Sequence, residues 1–178
     1  MNDELTPDDV RRLRQVADRD EIRQLAHRYA WSLDRRDLDA VAELFVADVR
    51  TADGTGRGAL SAQLRAGMAE LGVTVLFVGN HVIDLDPEDA DAARGIVYCR
   101  AILEVRDRPD GTRTVEQAIL YRDRYRREEG AWRFVARRHE LWYGVETAEH
   151  PFDQPPADWP RRHDGLGTVP YDEPTWPG

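Results

Sequence analysis

Arg94 to Arg106, read as Arg-Gly-Ile-Val-Tyr-Cys-Arg-Ala-Ile-Leu-Glu-Val-Arg, decides the fold. Its apolar residues alternate: Val97, Cys99, Ala101, Leu103 and Val105 fall on one face. Ile96, Tyr98, Arg100, Ile102 and Glu104 fall on the other. A period of two over so many residues specifies a long strand. Arg108-Pro109-Asp110-Gly111 follows with the chemistry of a hairpin turn. The next alternating run, Thr112 to Arg127, is therefore its antiparallel neighbour. Glu128-Glu129-Gly130 is a second tight turn, leading to a strand from Ala131 to Val145. Upstream, Val73 to Asp86 reads as the first strand and Pro87-Glu88-Asp89 as its turn. Four strands joined by short turns form an antiparallel meander.

Before residue 73 the period changes. Thr6-Pro7-Asp8-Asp9 is a helix start: a capping hydroxyl, Pro at the first helical position and two acids at the positive end of the dipole. Ile22, Leu25, Ala26, Tyr29, Ala30 and Leu33 mark a second helix, from about Arg19 to Arg35, with Asp34 beside its apolar stripe. A short third helix carries Val41, Leu44 and Phe45 inward, and Val49 to Ala52 suits a short strand. Asp53-Gly54-Thr55-Gly56-Arg57-Gly58 fits neither the dinucleotide fingerprint nor the P-loop, so it reads as a turn before a helix bearing Leu60, Leu64, Met68 and Leu71. Helices followed by a meander give an α+β class, with the helices on one face of a curved sheet. Residues 1–146 form this domain. Residues 147–178 hold seven of the ten prolines, interleaved with Phe152, Trp159, Tyr171 and Trp176, and are expected to dock on the domain or on a neighbouring subunit.

Composition excludes several activities. The 178 residues carry 34 acidic and 25 basic side chains, a net charge of −9, which opposes nucleic-acid binding. All the basic residues are Arg, so Schiff-base, pyridoxal and Walker-type lysine chemistry is ruled out. Cys99 is the single cysteine, which rules out an intrachain disulfide and a cysteine zinc cluster. The histidines at 27, 81, 139, 150 and 163 show no metal-ligand spacing, so neither metal nor cofactor is expected. No apolar leader follows Met1 and no run is long enough to span a membrane, so a cytoplasmic location without membrane contact is expected.

Further motifs carry a family resemblance: Glu21-Ile22-Arg23-Gln24-Leu25 with Tyr29-Ala30, then Leu33-Asp34-Arg35-Arg36-Asp37 and Leu44-Phe45. Gly79-Asn80 and Gly130-Ala131-Trp132-Arg133-Phe134 continue it over about 125 of the 178 residues. In this order and spacing the chain resembles the SnoaL-like branch of the nuclear transport factor 2-like superfamily. The resemblance implies a cone in which three or four helices and a strongly bent sheet enclose one pocket for a small hydrophobic molecule. It also implies self-association, with a trimer favoured and a dimer as the alternative. Members that catalyse eliminations carry an Asp at the position of Asp34, often with a His from the first long strand, and Tyr29 matches an active-site tyrosine of one of them. Leu76 or Phe77 stands where that His is expected, and neither accepts a proton.

Asp34, His81, Tyr29 and His139 are thus the candidate catalytic residues, and Asn80, Arg100, Tyr98, Phe77 and Trp142 the candidate substrate-binding ones. A carboxyl beside an apolar stripe is partly desolvated and exchanges protons nearer neutrality. His81 and His139 are available imidazoles. Tyr29 and Tyr98, five residues before Asp34 and on the second strand respectively, and the Asn80 amide are hydrogen-bonding groups. Arg100 suits a carboxylate or a developing oxyanion. By strict alternation His81 groups with Ile83 and Leu85, so a bulge in the strand decides whether it enters the pocket. The expected activity is a cofactor-independent lyase of the dehydratase type, acting on a polyketide or steroid-like ring. An isomerase or cyclase with the same pocket, or a module that only binds, are the alternatives.

Overall fold

The computed structural model describes residues 5–109 and 111–148. Three helices, α1 (Pro7–Asp34), α2 (Leu38–Glu43) and α3 (Arg57–Met68), precede four strands, β1 (Leu71–Leu85), β2 (Ala92–Arg108), β3 (Gly111–Glu128) and β4 (Ala131–Thr147). The strands form one open antiparallel sheet in the order β1-β2-β3-β4. The α+β class and the meander stand as expected. β4 ends one residue beyond the expected domain boundary, and the remainder of the proline-rich segment lies outside the described residues.

The two expected N-terminal helices are one. No Gly or Pro interrupts Asp8 to Asp34, and the stretch between the two readings is rich in strong helix formers. Thr6 and Asp9 close a reciprocal capping box, with Thr6 N–H donating to Asp9 Oδ2 at 3.0 Å and Asp9 N–H to Thr6 Oγ1 at 3.2 Å. Ile22, Leu25, Ala26, Ala30 and Leu33 are buried on the sheet, whereas Leu13 and Val16 in the first half stay exposed. At the far end Arg36 turns left-handed (φ 61°), and the Asp37 carboxylate caps α2 through Ala40 N–H. The strand expected at Val49 to Ala52 is a single bridge between Arg50 and Thr55 that closes the glycine-containing turn. Leu71 begins β1 instead of ending α3.

Helices and sheet share a core centred on Phe134, Ile22, Val41 and Val46. After α2 the chain runs along the edge of β4: Phe134 N–H donates to Leu44 O, and Val46 N–H to Phe134 O. Glu129 (φ 52°) and Gly130 (φ 80°) turn β3 into β4 with the positive φ pair of a two-residue hairpin. The register of β1 on β2 slips between Val78 and His81, where Gly79 and Asn80 form a bulge. Thr74, Leu76 and Val78 face the helices before it, and His81, Ile83 and Leu85 face them after it. The extra residue is what keeps both halves of the strand turned inward.

Candidate active site

Two polar centres occupy the inner face. The first is built on the last turn of α1. Asp34 Oδ1 accepts from the Thr74 hydroxyl at 3.0 Å, and Oδ2 accepts from Leu76 N–H at 2.9 Å. Buried Arg36 donates through Nη1 to Thr74 Oγ1 and Leu33 O, both at 2.8 Å, and through Nη2 to Gly72 O. Burial pushes the Asp34 carboxyl up to about 6, against the opposing pull of its two donors and of the Arg36 charge. The negative end of the α1 dipole acts in the same direction as burial. Cys99 lies near enough to feel the Asp34 charge, and burial pushes its thiol up to about 11, so it is not a thiolate nucleophile.

The second centre lies across β3 and β4. Asp123 and Arg137 form a bidentate pair, Nε to Oδ1 and Nη2 to Oδ2, both 3.1 Å, with side chains 0% and 3% exposed. Tyr125 donates to Asp123 Oδ2 at 2.8 Å, and His81 Nε2 lies 3.1 Å from the Tyr125 hydroxyl. Because the Tyr125 proton is committed to Asp123, His81 donates through Nε2–H, which leaves its buried Nδ1 without a partner. Burial, then the charges of Arg137, Arg23 and His27, push His81 down to about 4, so its imidazole is neutral at pH 7. The Arg137 guanidinium is caged by the rings of Tyr121, Tyr29 and Phe134 at 4.1, 4.4 and 4.7 Å. Tyr29 and Arg137 both line a cavity of about 310 Å³, with Phe45, Leu60, Gln63 and Leu64. Two larger open hollows, about 790 and 710 Å³, flank the β1–β2 turn instead.

The candidate residues therefore separate into three groups. Asp34 and Tyr29 sit on α1 but meet different strands, as the 140° between them around a helix requires: Asp34 reaches β1, and Tyr29 reaches Tyr121 and Phe134. The bulge turns His81 inward, yet it joins the Arg137 centre, five residues along β1 from the contact of Asp34 with Leu76. That span is ~15 Å of strand, so Asp34 and His81 are not a hydrogen-bonded pair. His139 shares the inner face, edge-on to Tyr121 at 5.6 Å, and burial lowers its affinity for a proton.

Phe77, Tyr98, Arg100 and Trp142 stand on the opposite face of the sheet, away from Asp34. Tyr98 packs edge-to-face on Trp142 at 5.2 Å, and Arg100 pairs with Glu116 at 2.6 Å. Strict alternation places Phe77, Tyr98 and Arg100 there once Thr74, Leu76, Val97 and Cys99 face inward. Trp142 goes with them by the same alternation, sharing the parity of Arg138 and Glu140, and a second register slip, between Ala118 and Ile119, turns Tyr143 to that face as well. Asn80 is exposed within the bulge.

Thr74, Arg36, Asp123, Tyr125 and Arg137 are the site residues that sequence reasoning passed over. A signal existed for two of them: Asp123 and Tyr125 share the parity of apolar Ile119 and Tyr121. An acid on a buried face demands a partner.

Helices laid on one face of a bent, unclosed meander, with a desolvated carboxylate closing the long helix, define the cone class of α+β proteins. The chain belongs to the SnoaL-like domain family, whose model matches residues 14–138. A crystal structure of a type 2 hexachlorocyclohexane dehydrochlorinase (LinA) is similar, with 19% identity, a TM-score of 0.68 and coverage of 80% of this chain and 97% of that one. The LinA-type3 dehydrochlorinase from Novosphingobium barchaimii matches with 19% identity and a TM-score of 0.68, over 80% and 99% of the two chains. A protein described as a putative scytalone dehydratase from Novosphingobium aromaticivorans matches with 20% identity and a TM-score of 0.62, over 76% and 91%. A search of curated protein sequences finds no match. No helix among the described residues is long and apolar enough to cross a membrane.

Proposed function

We propose that this protein is a cofactor-independent lyase that removes water from a small hydrophobic oxygenated molecule, a polyketide or steroid-like ring, with Asp34 as the proton-transfer group. The observation that carries this reading is the state of Asp34: a half-buried carboxyl near pH 6, held in one orientation by Thr74 and Leu76 N–H. A base of that strength is ionised about ten to one at pH 7 and still returns a proton within the same turnover. Asp34 takes the proton from the carbon beside a substrate carbonyl. The electron pair forms the new double bond as the carbon–oxygen bond of the leaving hydroxyl breaks. The same carboxyl then protonates that hydroxyl, so water departs from the face it shares with the abstracted proton and no net proton is consumed. The Tyr29 hydroxyl donates to the carbonyl as charge builds on its oxygen. Support comes from the family, the dehydrochlorinase and dehydratase neighbours, and the cavity that Tyr29 lines.

Double-bond isomerisation or ring closure uses the same proton transfers. A second reading, a module that binds without turnover, is favoured by one observation: no imidazole touches Asp34, and Leu76 N–H and Thr74 already occupy its two oxygens. Metabolite extract incubated with wild type or with Asp34→Asn separates these by mass spectrometry. A species lighter by one water, made by wild type alone, establishes the dehydratase. An unchanged mass with shifted retention indicates isomerisation or cyclisation. No converted species, with the same compound bound by both proteins, establishes the binding module.

A further inference from the structure

The face of the sheet turned away from the helices carries two kinds of surface. Towards one end Phe77, Tyr98, Trp142 and Tyr143 are 58, 39, 55 and 57% exposed, with Val145 beyond them at 53%. A cluster of large apolar side chains of this kind marks a place where something binds. Towards the other end arginines stand directly opposite each other, Arg94 across from Arg124 and Arg122 across from Arg138. Like charges in that position destabilise a sheet unless they are answered. Glu140 answers Arg122 at 3.0 Å and Arg138 at 3.4 Å. Arg94 and Arg124 have no ion-pair partner among the described residues. In a chain of net charge −9, aromatic and cationic patches side by side fit an acidic peptide that carries its own aromatics.

We propose that residues 149–178 of this same chain cover that face, setting their aromatic rings on Tyr98 and Trp142 and their carboxylates on Arg94 and Arg124. This segment has six acidic residues against two arginines, and it carries Phe152, Trp159, Tyr171 and Trp176. It departs from the end of β4, whose last residues, Tyr143 and Val145, already belong to the patch. The path back along β4 from Thr147 to Arg138 is ~30 Å. Thirty proline-rich residues reach ~90 Å at the polyproline rise, so the segment spans the face with length to spare. The covalent tether supplies a high effective concentration, which favours this occupant over a free peptide of the same composition.

Arg161-Arg162 provides the test, because trypsin reaches that pair only where the segment is free. In the intact protein, cleavage there, followed by mass spectrometry, is expected at least tenfold slower than in a synthetic peptide of residues 149–178, at every protein concentration. Trp142→Ser and Arg124→Glu, both exposed positions that leave the core untouched, are each expected to restore the rate of the peptide to within about twofold. Cleavage of the wild type at the peptide's rate overturns the proposal. So does protection that neither substitution alters. Protection that is lost on dilution also overturns it, and assigns the face to a second copy of the chain.

Discussion

Two aspartates lie against the inner face of one sheet, one fully buried on a strand and one half-buried at the end of α1, and they are kept in opposite ways. Asp123 is fully buried, and burial raises its proton affinity, but a bidentate guanidinium and a tyrosine hydroxyl answer its charge. Its partner Arg137 is in turn held by three rings. Asp34 is less deeply buried, yet its direct hydrogen-bond donors, a hydroxyl and one backbone N–H, are both neutral. The difference teaches that depth alone does not make a carboxyl reactive. A compensated charge is locked, and a half-compensated one stays within reach of protonation.

Breaking the locked pair has the largest expected effect. Arg137→Met leaves Asp123 buried without its countercharge and is expected to cost about 3–5 kcal/mol. Adding Asp123→Leu to that variant is expected to recover much of the loss. Denaturant unfolding of both variants measures the gap, and equal stabilities would contradict the account of a compensated pair.

Asp34→Asn is expected to do the reverse, abolishing turnover while the fold survives. Its signature is in the pH dependence of stability. The folded carboxyl titrates near 6, above its ordinary value of 3.8, so between these limits the native state holds more protons than the unfolded chain. Stability contributed by the protonated Asp34 is therefore present below about pH 4 and lost as pH rises through 6. With discounting for partial exposure this amounts to ~1–2 kcal/mol. The wild-type minus Asp34→Asn difference in unfolding free energy should fall by that amount across the window, and a flat difference would place Asp34 in water. Turnover, by the same titration, should rise with pH through about 6.

Gly95→Ala probes the link to His81. A Cβ there would lie 2.9 Å from the Tyr125 hydroxyl and 3.1 Å from His81 Nε2, so one of the two rings must move. A loss of about 1–2 kcal/mol is expected, with Asp34-dependent turnover retained, as thermal melts and product assays would report. Arg100→Ala, on the outer face, is the smallest: within ~0.5 kcal/mol and without effect on turnover.

Much of the fold was legible in the chain itself. Period-two alternation from Val73 onward, explicit turn residues and the Thr6 cap yielded the meander, its helices and the position of Asp34, because these signals are local. The continuity of α1 is not legible in the same way, because exposed Leu13 and Val16 do not extend the buried stripe, and apolar periodicity reports burial rather than helicity. Which side of the sheet Phe77, Tyr98 and Arg100 take is not legible for a different reason. Alternation says which residues share a side, and says nothing about which side meets the helices.

What the sequence by itself determined is the α+β class, the family and a carboxyl at the end of the long helix. Only the tertiary structure decided that His81 points inward yet joins Asp123 through Tyr125, that Arg137 is caged, and that Asp34 titrates near 6. Periodicity and turn chemistry act over a few residues and are written in them. A bulge shifts register by one residue, and a buried charge takes its proton affinity from groups about 40 positions away, such as Thr74, which meet it only once the chain has folded.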